Sequence, residues 1–360
     1  MGPCTAPIGR ACWPRAWRGP RGAAPQPSER AKFPRAPQAA QSSQVATLPA
    51  FIPAEAGDVG DGAALELAAR YDRVGVRVPC LGREVQTAHI RPFGKGADDA
   101  LCPPVVLLHG FDGSSLEFRR LMPLLADSVQ AWAVDLVGAG FSDHGIFKGE
   151  PDLIAGPAQR TEHLYEFWKS NIGRPMAVAG ISLGGAAAMD FALAYPEAVD
   201  CIILMDSQGY VDGIGAMSQL PRPLQSLGVQ VLRTVALRQL ANTMAYYDKE
   251  TYASEDAMKV GRLHTFLPGW SDANVSFMRS GGYSLSPRIK DVQQPTLILW
   301  GRDDGILDPS YAERFVEDIT CSKLVWVEQC GHSPHLEQPQ VVAEAILDFL
   351  KTHGATKEHS

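Results

Sequence analysis

The chain has 360 residues, of which 45% are hydrophobic and 20% charged, and its formal net charge is −7. This composition is typical of a globular protein and excludes a fibrous or fully disordered chain. No apolar stretch of about 18 residues is free of charge, which argues against a transmembrane helix. Seven cysteines without metal-type spacing indicate neither a zinc site nor a disulfide framework. The acidic balance argues against nucleic acid as a partner.

The first 50 residues differ from the rest of the chain in charge. They contain seven Lys or Arg and one acid, a local charge of +6, whereas the remainder carries 26 basic and 39 acidic residues, or −13. A basic, acid-poor start without a continuous apolar segment is typical of an organelle transit peptide rather than a secretory signal. We expect residues 1–50 to be such a peptide, the alternative being a disordered tail without a targeting signal.

From Tyr71 onwards, apolar runs alternate with amphipathic ones. Two alternating runs on either side of Leu81 and Gly82 predict a hairpin of strands. Continuous apolar runs predict buried strands in PPVVLLHG, VQAWAVDLVGAG, PMAVAG, VDCIILMD, PTLILWG and KLVWVEQ. Helical spacing predicts helices in LEFRRLMPLLAD, RTEHLYEFWKSN, LGGAAAMDFALAYP and QVVAEAILDFLKTH. Strands that alternate with helices in this way predict a doubly wound, mostly parallel α/β sheet.

The segment between Asp206 and Ile289 breaks this alternation, because it contains no strong strand pattern and its spacing is helical. It falls between the sixth and seventh strands. An insertion at this point of such a sheet lies over the carboxyl ends of the strands, where ligands bind. We therefore predict a helical lid at residues 207–289, between two parts of one core at 65–206 and 290–353.

One serine stands between glycines in the stretch Gly180-Ile181-Ser182-Leu183-Gly184, which fits the pattern G-x-S-x-G between a strand and a helix. The tight turn raises the hydroxyl to the edge of the sheet, at a helix N-terminus whose dipole favours developing negative charge. The glycines leave room for the close approach of strand and helix. We predict that Ser182 is a nucleophile, the alternative being a glycine-rich turn with an incidental serine.

A serine hydroxyl is a weak nucleophile and needs a base. His332 follows the last predicted strand, and serine before histidine is the chain order of this type of site. His335 is the competing histidine, which we expect to be packed or to cap the next helix. We predict His332 as the base.

The imidazole needs a carboxylate to fix its tautomer and to stabilise the imidazolium. Asp303, Asp304 and Asp308 all lie in the loop that follows the strand PTLILWG. Asp206 is a fourth candidate for this carboxylate, and it lies at the end of the preceding strand instead of in this loop. The residues alone leave the choice among these four aspartates open.

The third requirement is a set of donors for the oxyanion. The strand end LLHGFDGSS predicts that the backbone N–H groups of Phe111 and Leu183 form this hole. We expect His109 to hold the loop by hydrogen bonds. The glycine-rich loop from Asp135 to Asp143 is expected to shape the site without taking part in the chemistry.

An oxyanion loop, a nucleophile turn, an acid and a base follow one another in this chain order, which identifies the chain as a member of the α/β-hydrolase superfamily, with a helical lid. The superfamily's acid loops have the form G-x-x-D, and this resemblance selects Asp304. It leaves Asp303 and Asp308 as turn and cap residues, and Asp206 as the alternative acid. The related epoxide hydrolases and haloalkane dehalogenases have an aspartate where Ser182 stands, which disfavours their chemistry here.

A narrower resemblance lies in the flanking sequence. The segments GFDGSSLEFRRLMPLL, AWAVDLVGAGFSD, EHLYEFWKS, VGRLHTFLPGWSDANVSFMRSGGY and CGHSPHLEQP resemble plant chlorophyll dephytylases and their chloroplast relatives, from about Val105 to Leu350. The elbow departs from that family, since it reads GISLGG in place of a Pro-Ser-Leu-Gly-Ala type. The resemblance implies hydrolysis of the phytyl ester of chlorophyll near thylakoid membranes, with Ser182, His332 and Asp304 as the triad. It also implies a chloroplast location, the alternative being a mitochondrion.

The lid offers apolar and aromatic surface for a hydrophobic ester, and Phe266, Trp270 and Phe277 are predicted to contact it. The alternative is that these residues form the ordinary core of the lid. We predict no cofactor, no metal and no protein partner, but a peripheral contact with the thylakoid surface. Two other functions remain open: a hydrolase for another lipid, a small acyl ester or a C–C bond, and a ligand receptor with little turnover.

Overall fold

A computed structural model describes residues 47–98 and 102–357. The predicted transit peptide lies outside the described residues except for positions 47–50. The ordered core begins before the predicted boundary at residue 65, because Ile52, Ala56 and Val59 are buried in it. The side chain of Asp61 fixes this segment through an ion pair of 2.8 Å with the buried Arg119.

Eight strands form one sheet, and its order is β1-β2-β4-β3-β5-β6-β7-β8. Strand β2 pairs antiparallel with β1 on one side and with β4 on the other. All other neighbouring strands are parallel. The doubly wound, mostly parallel α/β-hydrolase sheet predicted from the sequence is therefore confirmed. The strands are β1 (Tyr71–Val78), β2 (Arg83–Ile90), β3 (Val105–Leu108), β4 (Ala131–Val134), β5 (Met176–Ile181), β6 (Val199–Met205), β7 (Thr296–Gly301) and β8 (Ser322–Val327).

The central strands are apolar throughout because both of their faces are covered. All six residues of β5 are buried. Ala177 and Ala179 pack into the hydrophobic cluster on one face of the sheet, whereas Met176 and Val178 pack into the cluster on the other face. This two-sided burial explains why continuous apolar runs marked the strands in the sequence.

Twelve α-helices accompany the sheet in the described residues. They are α1 (Gly62–Ala68), α2 (Met122–Ala126), α3 (Pro157–Asn171), α4 (Leu183–Ala194), α5 (Arg222–Leu232), α6 (Val235–Ala245), α7 (Lys249–Tyr252), α8 (Glu255–Arg262), α9 (Trp270–Arg279), α10 (Ser310–Asp318), α11 (Pro334–Glu337) and α12 (Pro339–Lys357). The helix predicted in LEFRRLMPLLAD is instead a 3₁₀ turn, Ser115–Arg119, followed by the short α2. Pro123 lies in the first turn of α2, the part of a helix where a missing N–H is tolerated, and so a new helix begins there.

Helices α5 to α9 occupy the segment between β6 and β7 that the sequence predicted as a lid. Within it, α5 packs on α9 and α6 packs on α8. Among the described residues, no helix has the length and apolar character needed to cross a membrane.

Candidate active site

Ser182 lies at the tight turn between β5 and α4. Its backbone has φ 52° and ψ −118°, a conformation that costs a non-glycine residue about 1–3 kcal/mol. The backbone N–H of Ser182 donates to the carbonyl of Met205 at 3.0 Å, which ties the strained turn to β6. The neighbouring glycines are required by contact: a Cβ on Gly184 would lie 2.1 Å from the carbonyl oxygen of Leu108, and a Cβ on Gly180 would lie 2.1 Å from that of Gly184.

His332 lies in the loop after β8 and is 7% exposed. Its Nδ1 lies 2.8 Å from Oδ2 of Asp304, and this acceptor favours the tautomer that has its N–H at Nδ1 and an acceptor at Nε2. The other oxygen of Asp304 accepts from the backbone N–H groups of Ile306 at 2.7 Å and Leu307 at 3.0 Å. These two donors fix the orientation of the carboxylate that faces the imidazole.

Asp206, the alternative acid, follows β6 and is fully buried beside Asp304. Its Oδ1 accepts from the N–H of Gly301 at 2.9 Å, and its Oδ2 has no hydrogen-bond partner of normal geometry in the described structure. Burial, together with the charge of Asp304, raises the pKa of Asp206 well above the usual range of an aspartate. The structure thus brings both acids to one histidine, but only Asp304 accepts a hydrogen bond from it.

The remaining candidates of the acid and base loops take other places. Asp303 is exposed, and the carboxylate of Asp308 accepts from the N–H of Ser310 at 2.9 Å at the start of α10. His335 is 1% exposed and packs its ring 5.6 Å from that of Phe118. Burial lowers the pKa of His335 to about 3, so the ring stays neutral.

The oxyanion loop follows β3. His109 Nδ1 lies 2.8 Å from the carbonyl oxygen of Gly110, whose own N–H donates to the carboxylate of Glu117 at 3.0 Å. These bonds fix the backbone of the loop at Gly110, the residue immediately before Phe111. Leu183 is the first residue of α4, where a backbone N–H has no acceptor within the helix.

Two cavities meet at this loop, and Gly110, Phe111 and Asp112 line both. The larger has a volume of about 320 Å³, and both Ser182 and His332 open into it. The smaller lies on the other side of the loop, against α3, α4 and α9.

The predicted lid contacts divide between these cavities. Trp270 and Phe277 line the smaller cavity. Phe266 lines neither, and its ring packs against the guanidinium groups of Arg233 and Arg262, each 4.9 Å from its centroid. These contacts hold Phe266 within the lid rather than beside the serine.

Sequence reasoning missed two buried carboxylates that connect the lid to the site. Asp112 follows Phe111, and its Oδ1 accepts from His264 Nε2 at 3.0 Å and from Trp270 Nε1 at 2.9 Å. Its Oδ2 forms an ion pair with Arg238 of α6. No local pattern marks this role, because the partners lie more than a hundred positions away in the chain.

Glu337 makes the second connection. Its carboxylate accepts from the N–H of Gly331, next to His332, at 2.8 Å. It also accepts from the N–H groups of Tyr247 at 3.2 Å and Asp248 at 2.6 Å, which lie in the lid.

Asp206, Asp304 and His332 also have the spacing of a metal cluster, since one ligand atom from each lies within 4.8 Å of the other two. A hydrogen bond already joins His332 Nδ1 to Asp304, and it requires a proton where a metal ion would bind. The donor set therefore fits a histidine–carboxylate pair better than a metal centre.

The eight-stranded sheet and the site at its edge have the architecture of an α/β hydrolase. The sequence pattern of the alpha/beta hydrolase family matches residues 105–345, so the chain belongs to that family.

Individual relatives support the same assignment. The chain is 37% identical over 306 residues to the alpha/beta hydrolase domain-containing protein VTE7 of Arabidopsis thaliana, covering 84% of this chain and 90% of that protein. It is 28% identical to 2-hydroxy-6-oxo-6-(2'-aminophenyl)hexa-2,4-dienoic acid hydrolase of Metapseudomonas resinovorans, over 69% of this chain and 83% of that one. The crystal structure of a serine hydrolase involved in carbazole degradation superposes with a TM-score of 0.60 at 26% identity, over 78% of this chain and 99% of that one. The protein is thus a hydrolase of this family.

Proposed function

We propose that the protein is a serine carboxylic-ester hydrolase in which Ser182, His332 and Asp304 form the catalytic triad. The observation that carries this proposal is the 2.8 Å bond between His332 Nδ1 and Asp304, in a histidine that opens into the same cavity as the strained serine. This bond selects the tautomer whose Nε2 can accept a proton from the serine hydroxyl.

The proposed reaction follows from that geometry. His332 takes the proton of Ser182 as the serine oxygen attacks the ester carbonyl, and the backbone N–H groups of Phe111 and Leu183 stabilise the oxyanion. The imidazolium then gives its proton to the departing alcohol, which leaves an acyl-enzyme. Water, deprotonated by the same imidazole, hydrolyses the acyl-enzyme and restores the serine.

The proposed substrate is the phytyl ester of chlorophyll, which would release chlorophyllide and phytol. Two features support an apolar ester. The cavity of about 320 Å³ beside the serine falls in the range of small-molecule sites. Apolar side chains such as Leu116, Met258 and Leu336 contribute to its wall. The resemblance in sequence to chlorophyll dephytylases supplies the particular ester and the chloroplast location, with the basic segment 1–50 as the proposed transit peptide.

The test is hydrolysis of chlorophyll a in detergent by the full chain, with chlorophyllide and phytol measured by chromatography. Ser182→Ala is the matched control, and a fluorophosphonate probe reports whether the serine is reactive. We expect products and labelling with the wild type only. Labelling and turnover of a short p-nitrophenyl ester without chlorophyllide would leave the esterase and reject the chlorophyll substrate. Absence of both labelling and turnover would favour a ligand receptor.

A second candidate is hydrolysis of a C–C bond. It is favoured by the 28% identity to a hydrolase whose name gives a hexa-2,4-dienoic acid as its substrate. Turnover of a dienoate of that type, lost in Ser182→Ala and exceeding turnover of esters, would select this candidate. The same comparison of turnover rates distinguishes other lipid esters or small acyl esters from chlorophyll as the substrate.

A further inference from the structure

The smaller cavity beside the oxyanion loop has a volume of about 20 Å³. A cavity of roughly 10–15 Å³ by this kind of measure holds one water molecule, so this one has room for a group the size of a carbonyl or a carboxylate. It shares Gly110, Phe111 and Asp112 with the larger cavity, and the first residues of α4 close its base. A group in it would therefore lie directly behind the proposed oxyanion donors.

Arg160, from α3, lines this cavity and is 7% exposed. In the described part of the chain, no carboxylate lies within 4.0 Å of its guanidinium. The group packs 4.0 Å from the centroid of the Phe277 ring, and Nη2 lies 3.4 Å from the carbonyl oxygen of Gly138. Its Nε is buried without a hydrogen-bond partner. A buried cation of this kind has donors to spare for an incoming acceptor.

Tyr283 provides a second donor on the same wall. Its hydroxyl is buried and makes no hydrogen bond of normal geometry to a described residue. Burial raises the pKa of Tyr283, so the phenol keeps its proton. The Arg160 guanidinium lies close enough to the Tyr283 hydroxyl to act on its oxygen as a weak hydrogen-bond donor, which leaves the O–H of Tyr283 available.

The walls of the cavity carry one arginine, Arg160, and one acid, Asp112. The nearest acid on its wall, Asp112, already forms an ion pair with Arg238 and accepts bonds from His264 and Trp270. The charge of Arg160 is therefore offset only in part, by the longer-range attraction of Asp112. Keeping an unpaired cation in a buried position costs stability, and natural proteins retain such groups mainly where they serve a function.

We propose that Arg160 and Tyr283 form a subsite that binds a carbonyl or carboxylate oxygen on the acyl part of the substrate. The inference rests on the proposed esterase function and adds a substrate class to it: esters whose acid part carries a second oxygen acceptor. Chlorophyll belongs to this class, because its acid part carries ketone and methyl-ester carbonyls besides the phytyl ester.

Three series of p-nitrophenyl esters test the subsite. The hydrogen succinate, glutarate and adipate esters carry a distal carboxylate, their methyl esters carry a distal carbonyl, and straight-chain acyl esters of matched length carry neither. We expect the wild type to favour an acceptor-bearing ester of one length by about tenfold in kcat/KM. A preference for the carboxylate series or for the methyl-ester series identifies which oxygen the subsite takes.

The variants Arg160→Met and Tyr283→Phe remove the two donors, and Arg83→Met is the control for a lost surface charge, since Arg83 pairs with the exposed Glu150. We expect Arg160→Met to abolish the preference between matched esters, Tyr283→Phe to weaken it and Arg83→Met to leave it unchanged. Arg160→Lys, which keeps the charge without the fork of donors, is expected to restore part of the preference for carboxylates.

Thermal melting separates a binding role from a structural one. Because Arg160 has no carboxylate partner, Arg160→Met is expected to melt at the same temperature as the wild type or higher, and glutarate is expected to stabilise only the wild type. A lower melting temperature with an unchanged preference, in Arg160→Met and in Tyr283→Phe, would overturn the subsite. Absence of turnover with every ester in the wild type would instead reject the esterase.

Discussion

Asp304 and Asp206 lie beside one histidine, yet their surroundings differ. Asp304 accepts from His332 and from two backbone N–H groups, whereas Asp206 accepts from one N–H and keeps one oxygen unpaired. Two neighbouring carboxyl groups in a buried site do not both ionise readily. Burial and the neighbouring Asp304 raise the pKa of Asp206 well above the usual range, which favours the protonated form of Asp206.

Replacement of each acid by its amide should separate their roles. Asp304→Asn would stabilise the wrong imidazole tautomer, and we expect a fall in kcat of about 10³–10⁴-fold. Asp206→Asn keeps the shape of a neutral carboxyl group and is expected to lower kcat by less than about tenfold. Steady-state kinetics on a short p-nitrophenyl ester checks both, and the reverse order would assign the acid to Asp206.

The protonation of Asp206 also predicts a pH dependence of stability. Its pKa is raised in the folded state, so its contribution to stability is complete below the unfolded pKa of about 3.9 and is lost as pH rises towards the folded value. Asp206→Asn removes this loss, since asparagine does not titrate. The free energy of unfolding of the variant, measured by urea unfolding, should therefore gain on that of the wild type between pH 5 and pH 8, by about 1.4 kcal/mol for each pH unit over which the wild-type carboxyl remains protonated. Parallel pH profiles would show that Asp206 is ionised in the native state.

The sequence predicted the serine and histidine more sharply than the acid for a physical reason. The strained turn at Ser182 requires glycines at fixed offsets, so its signal is local. Asp303 and Asp304 are neighbours in the same loop, and only the course of the backbone turns one towards His332 and the other towards solvent. Arg160 carried no signal at all, because an arginine in an amphipathic helix resembles an ordinary surface residue.

At the scale of secondary structure, the lid is fastened to both loops of the site by buried carboxylates. Asp112 connects the oxyanion loop to α6 and α9, and Glu337 connects the His332 loop to the segment between α6 and α7. A shift of the lid would therefore move the residues next to Phe111 and His332. Asp112 and Glu337 therefore link closure of the cavity to alignment of the site.

Two arginines of the lid provide a matched test of this connection. Arg238 pairs with the buried Asp112, whereas Arg222 pairs with Asp272 at the surface. Arg238→Met leaves a buried carboxylate without its cation and should lower the free energy of unfolding by about 3–5 kcal/mol. Arg222→Met should change it by less than about 1 kcal/mol.

Urea unfolding measures both differences, and limited proteolysis reports where the structure opens. We expect new cleavage within residues 222–279 for Arg238→Met only. Equal losses in the two variants would show that the ion pair with Asp112 does not hold the lid.

The order of elements was predictable because the central strands β3, β5, β6 and β7 are almost entirely buried, and because helices such as α3 have an amphipathic period. The lid was predictable as helical but not in its contacts, since Asp112 meets Arg238 across 126 positions and Trp270 across 158. Such contacts depend on how the whole chain folds. The same limit applies to the start of the core, which packs through Ile52 and Val59 before any periodic pattern begins.

At the scale of the whole molecule, the lid presents an apolar face to solvent. Leu224, Leu227 and Val231 lie on one side of α5, and 51%, 63% and 49% of their surfaces are exposed. Leu240 and Met244 of α6 are exposed to a similar extent. An exposed apolar face on a lid whose helix α6 also lines the larger cavity is typical of a surface that meets a membrane or another protein. A substrate with a phytyl chain resides in lipid, so a membrane is the occupant that fits the proposed reaction.

Flotation with neutral phosphatidylcholine vesicles tests this contact, because neutral lipid does not attract the basic segment at residues 1–50. The double variant Leu224→Ser/Leu227→Ser should lower vesicle binding by at least about tenfold, since each half-exposed leucine contributes about 1 kcal/mol when it enters the interface. Val316→Ser/Val341→Ser is the matched control, because both valines are exposed on helices of the core. Hydrolysis of a soluble p-nitrophenyl ester should be similar in all three proteins, whereas release of phytol from vesicle-bound chlorophyll should fall with binding. Equal flotation of the two double variants would exclude the α5 face as the membrane contact, and the lid would then cover the cavity without bringing the enzyme to its substrate.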